Sequence, residues 1–345
     1  MAKSTKIYTF LAFLLLVLPA LAVSECTCDK EDEVHDKAEA LEYKTAALAS
    51  ILFASAIGVL IPVLGKFTPA LSPEKDIFFM IRAFAAGVIL STGFTHVFPD
   101  AFESLTSPCL SEHPWGDFPF TGFVSMCAAM GTLMVDAFAT AYFKRLNMKN
   151  GHIEADGDEE KSAGTRGQDH DHSHGLSDSS SSSHQLLRQR VISQVLEMGI
   201  IVHSVIIGIS LGASRGAQVI KPLVAALTFH QFFEGMGLGS CITQAKFKNK
   251  TIATMVLFFA LTTPMGIAIG IGIANVYDEN SQNALIVEGI FNAASAGILI
   301  YMALVDFLAA DFMSDRMQNS SHLQFGANIC VLLGAGLMSL LAKWA

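Results

Sequence analysis

Eight long apolar runs take up most of this chain, at residues 45–66, 77–100, 119–143, 191–214, 220–243, 251–276, 285–308 and 325–343. About 20 apolar residues, rising roughly 1.5 Å each in a helix, cross the hydrocarbon core of a bilayer. Lipid offers no hydrogen bonds, so backbone groups inside it must be paired within the segment, and repeated runs of this length fold as helices. The expected fold is all-α: a polytopic membrane protein with eight transmembrane helices in one domain. Only 15% of residues are charged, well below the roughly 25% of soluble domains. A net charge of -9 without a basic cluster excludes nucleic acid as a partner and leaves the lipid bilayer itself.

The first residues read as a leader. Lys3 and Lys6 precede an apolar core from Ile7 to Leu18, followed by Pro19 and the small-residue pattern Ala20-Leu21-Ala22. That order of charge, apolar core and cleavage chemistry predicts a signal peptide over 1–22, and the core is short for a span. An extracellular segment over 23–44 and an eight-helix domain over 45–345 follow. Cys26, Cys28 and Cys109 then meet oxidising conditions, where a disulfide between the N-terminal pair and Cys109 can form. Cys127, Cys241 and Cys330 lie in apolar runs and read as packing residues.

Loop charge sets the orientation. Lys66, Lys75, Lys144, Arg145, Arg188, Arg190, Lys246, Lys248, Lys250 and Arg316 fall on one side, and only Arg215 and Lys221 on the other. The positive side is cytosolic, so both termini are extracellular or lumenal, as the leader requires. The polar stretch 144–190 holds acidic residues, the run His170-Asp171-His172-Ser173-His174 and a serine tract. Such a composition cannot bury a core, and disorder is expected there. Its histidines either bind zinc weakly or are incidental to a solvated tract.

Ionisable groups deep in apolar runs are costly and mark functional sites. His203 lies near the middle of the fourth run, and His230 and Glu234 near the middle of the fifth. The i,i+4 spacing puts His230 and Glu234 on one face. If the two helices pack together, two imidazoles and a carboxylate converge, a ligand set suited to a divalent transition metal. Ser204 and Gln231 stand beside them as weaker oxygen ligands. On the second run, His96 and Asp100 share a face towards its outer end, with Glu103 beyond, and read as metal entry. Asp136 in the third run reads as an exit station. Glu288, Asn292, Ser295, Asp306 and Asp311 of the seventh are polar positions of lower value. A hydrolytic zinc site on His96, His203 and His230 is the enzymatic alternative; the outer position read for His96 and the lack of an HExxH helix speak against it.

The segments HSVIIGISLGAS at His203 and HQFFEGMGLGSC at His230 resemble the signature of the ZIP (Zrt/Irt-like) metal transporters. HVFPDAFE and the closing LLGAGLMSLLAKWA resemble the plant branch. The resemblance implies import of divalent metal into the cytosol by alternating access, zinc by default, with Fe2+, Mn2+, Cu2+ or Cd2+ as other passengers and no prosthetic group. It implies a transport site of His203, His230 and Glu234 and a homodimer; the expected location is the plasma membrane, with an endomembrane as the alternative. Where other branches often carry Asn and Glu on the fourth helix and Asp on the fifth, this chain has Ser204, Ile207 and Gln231. Fewer carboxylates imply one transported ion rather than a two-metal cluster.

Overall fold

The computed structural model describes residues 37–65, 75–158, 175–214, 217–274 and 281–343, and these hold helices and no strand. The expected leader over 1–22, Cys26, Cys28 and the loop histidines His170, His172 and His174 lie outside the described residues. The long helices are α1 (Lys37–Gly65), α2 (Asp76–Leu105), α3 (Phe120–Asp158), α4 (Gly175–Ala213), α5 (Ala217–Gln244), α6 (Asn249–Ile273), α7 (Gln282–Phe312) and α8 (Ser321–Ala342). Among the described residues, seven helices are long and apolar enough to cross a membrane; α5 is not among them. Length is not the reason, since α5 has 28 residues. Its middle carries His230, Gln231 and Glu234, which dilute its apolar character.

Three boundaries differ from the sequence expectation. Helix α1 starts at Lys37, eight residues before the first apolar run. The polar stretch 144–190 is not disordered at its ends, because α3 continues to Asp158 and α4 begins at Gly175. Extending an existing helix avoids the cost of nucleation, and the Lys, Arg, Leu and Met residues after Tyr142 are good helix formers. Helix α2 does not stop with its apolar run at residue 100; it passes through a π-helical segment, Thr92–Val97, and continues to Leu105. Proline has no N–H to donate and disrupts a regular helix, whereas here it enters the first turn of Phe98–Leu105, where that N–H is not needed. The π segment absorbs the change in register.

The helices pack as two groups. Helix α1 lies along α5 and α4 along α6, with α1 also touching α6; α2 lies along α8 and α3 along α7, with the outer part of α2 against α7. The groups meet where α4 touches α7 and α3, and where α5 touches α2. Close helix approach without a water-driven hydrophobic effect requires small residues. A Cβ on Gly212 of α4 would lie 2.3 Å from the Ile267 carbonyl oxygen of α6, and one on Gly270 would lie 2.3 Å from that of Ile209.

At the end of α2 and α7 opposite the α2–α3 loop, Arg82 Nε lies 3.2 Å from Asp311 Oδ2, and both residues are buried. The guanidinium also covers the Phe307 ring at 5.3 Å. Removing one member of a buried pair strands the other charge, at a cost of about 3 kcal/mol. Asp311→Ala should therefore lower the thermal midpoint of the detergent-purified protein by several degrees, and adding Arg82→Met should recover much of the loss. Equal midpoints for Asp311→Ala and the unsubstituted protein would show that the pair contributes nothing.

Candidate metal centre

Two helices from one group supply the deepest polar cluster. His203 comes from the middle of α4, and His230 and Glu234 come from successive turns of α5. Ligand atoms of these three residues all lie within 4.8 Å of one another. The side chains are buried to 1%, 0% and 0% exposure respectively. Neither ring nitrogen of His203 or His230, and neither carboxylate oxygen of Glu234, has a hydrogen-bond partner within the protein.

That absence of partners carries the chemical argument. A buried polar atom without a partner costs about 1–3 kcal/mol, and more if charged. A group of such atoms is expensive to keep for packing alone. A divalent cation would take one nitrogen of each imidazole and the carboxylate, whose lone pairs reach it at about 2.0–2.2 Å. Three N/O ligands also leave coordination positions open, which suits an ion that must enter and leave. Ser204 Oγ and Gln231 Nε2 are buried in the same region without partners, at 1% exposure each. Both sit next in sequence to a histidine of the cluster and so point to other sides of their helices.

The reading of His96 as lying well above the other histidines is corrected by the structure. Its ring centroid is 5.7 Å from that of His230 and 6.3 Å from that of His203, while His203 and His230 are 5.8 Å apart. Because α2 continues to Leu105, His96 lies nine residues, or about 13 Å, inside the helix end. Its Nε2 is buried without a partner, and its Nδ1 lies 3.9 Å from Asp100 Oδ2. The second group of helices thus brings a third imidazole beside the cluster. A helix carried on past Pro99 to Leu105, rather than ended with the apolar run, puts His96 at the depth of the other two histidines.

Asp100 and Glu103 line a cavity that His203 also borders. Asp136 of α3 is outside the three-residue cluster, with Oδ1 buried in the protein. Cys109 is disulfide-bonded, whereas Cys127, Cys241 and Cys330 are free.

Comparison with known proteins gives a consistent answer. A family described as ZIP Zinc transporter matches residues 41–342. The chain is 56% identical over 321 residues to Zinc transporter 3 of Arabidopsis thaliana, covering 93% of this chain and 90% of that protein. It is 51% identical to Zinc transporter 5 of Oryza sativa subsp. japonica, covering 100% and 99%. Fe(2+) transport protein 2 of the same rice is 47% identical, with 91% and 88% covered.

Proposed function

The chain belongs to the ZIP zinc transporter family, and we propose that it imports zinc into the cytosol through a site built from His203, His230 and Glu234. It is a membrane transporter of divalent metal and not an enzyme; the hydrolase alternative has no support among its relatives. The observation behind the site is the buried N/O cluster whose ligand atoms have no partner within the protein. Eight spans, with α5 as the eighth and both termini outside, match the loop charges and the proposed leader. The plasma membrane is the proposed location, and a homodimer the proposed assembly.

In the proposed cycle, Asp100 and Glu103 attract the cation, and His96 passes it to the pocket between α4 and α5. The ligands of the pocket belong to the group α1, α4, α5 and α6, while His96 belongs to the group α2, α3, α7 and α8. Relative movement of the two groups carries the ion away from the outer side, which is alternating access around a held site. Asp136 assists exit, and the loop histidines His170, His172 and His174 collect the released ion. Nitrogen and oxygen ligands hold the ion strongly enough to shed water, and protons weaken that hold.

Uptake of radiolabelled zinc by cells expressing the chain, with unlabelled competitors, tests this reading. Zinc should be the strongest competitor, with Fe2+, Mn2+, Cu2+ and Cd2+ weaker. Competition by iron at lower concentration than zinc would transfer the primary role to iron. Protonated imidazole cannot ligate a metal, so lowering the external pH from about 7 to about 5 should raise the KM for zinc several-fold. A pH-independent KM would exclude histidine from the rate-determining binding step.

A further inference from the structure

Beside the His/Glu cluster lies a cavity of about 170 Å³ whose wall the entry residues of α2 only half complete. Asp100 and Glu103 of α2 form one side, and Glu288 and Asn292 of α7 also line it, with Ser210 and His203 of α4. Glu288 and Asn292 are four residues apart and share a helical face. No lysine or arginine is among the described lining residues. Carboxylates alone do not define a site, but His203 does more. It is 1% exposed, borders this cavity, and neither of its ring nitrogens has a hydrogen-bond partner. Asn292 Oδ1 is likewise buried without one. The cavity is therefore acidic at its walls and ends on a buried nitrogen donor.

At roughly 30 Å³ per water, about 170 Å³ leaves room for a cation that keeps several of its waters. We propose that Glu288 and Asn292, facing Asp100 and Glu103, form an outer site for a hydrated divalent cation. There the ion is held by charge through its water shell before His203 replaces the first water. This proposal rests on the transport reading above and adds the α7 wall and the hydration state to it. Oxygen donors acting through water favour charge over softness, so the outer site also admits hard ions such as Ca2+, which the nitrogen-rich inner cluster rejects.

The test is zinc uptake kinetics in cells expressing the full chain, with surface amount measured, for Glu288→Gln, Asn292→Asp and the pair Glu288→Gln/Asn292→Ala. Glu288→Gln/Asn292→Ala should raise the KM for zinc about tenfold with the maximal rate kept. Asn292→Asp, which adds a carboxylate, should lower KM several-fold. Calcium should inhibit the unsubstituted protein competitively and the double variant far less. Raising ionic strength should weaken zinc affinity in the unsubstituted protein more than in the double variant, because exposed charge is screened. Unchanged KM and calcium sensitivity in Glu288→Gln, or a lower maximal rate with KM kept, would overturn the outer site while leaving the inner one standing. Absence of uptake by the unsubstituted chain would instead remove the transport reading itself. If the double variant fails to reach the surface, Asn292→Asp decides alone: no fall in KM contradicts the proposal.

Discussion

Glu234→Ala is expected to reduce zinc uptake to background, at least on the order of a hundredfold, with the protein still present in the membrane. Glu234 is the carboxylate of the buried three-ligand cluster, with 0% exposure. Without it, two imidazoles must compensate a dehydrated dication in lipid, and they carry no charge to do so. Removing water from a divalent ion is repaid only by close ligands, so the loss appears in transport rather than in folding. Stability should move the other way. Replacing a buried carboxylate that has no hydrogen-bond partner with a small apolar group removes a desolvation cost, so the metal-free variant should melt at or above the temperature of the metal-free parent. Uptake assays with surface immunoblots and thermal melts of purified protein check both halves. Glu234→Ala that transports zinc at more than a tenth of the normal rate would remove the carboxylate from the pathway.

Gly212→Val is expected to have the largest structural effect. The added Cβ would lie 2.3 Å from the Ile267 carbonyl oxygen and 2.8 Å from Gly270 Cα, both backbone positions of α6 that cannot rotate away. Overpacking typically costs about 1–3 kcal/mol, and more where backbone meets backbone. Helices α4 and α6 must separate, and His203 moves with α4. Little folded protein should reach the membrane, as read by immunoblot and by detergent size-exclusion chromatography. Gly272→Ala on the same helix α6 is the contrast, since its Cβ meets nothing within 4 Å. It should be neutral or stabilising, because alanine is the better helix former by about 1 kcal/mol. Equal expression of Gly212→Val and Gly272→Ala would show that the α4–α6 contact is looser than described.

The convergence of His203, His230 and Glu234 was legible because it needs only helix rise and the i,i+4 rule. Both runs were long enough to fix depth, and two antiparallel neighbours place their midpoints side by side. His96 was placed too far out because the apolar run was ended at residue 100; the helix runs on to Leu105 through a π segment that packs against α7 and leaves no periodic trace in the sequence. The helical ends of the 144–190 stretch were missed for a related reason. Composition reports whether a segment can bury a core, not whether an existing helix continues into it. Glu288 and Asn292 read as isolated polar residues because their significance depends on α2 and α4 standing opposite, which is a property of tertiary packing. Helix α5, expected as the fifth span, is not among the helices apolar enough to cross a membrane in the described residues, because His230, Gln231 and Glu234 lower its apolar character.

Zinc K-edge X-ray absorption on purified, zinc-loaded protein, with His170, His172 and His174 replaced by alanine, reads the ligands of the inner site. A first shell of nitrogen and oxygen at about 2.0 Å, with the outer-shell pattern of imidazole, is predicted, and His203→Ala with His230→Ala should remove that pattern. A sulfur shell at about 2.3 Å, or an imidazole pattern that survives both substitutions, would contradict it.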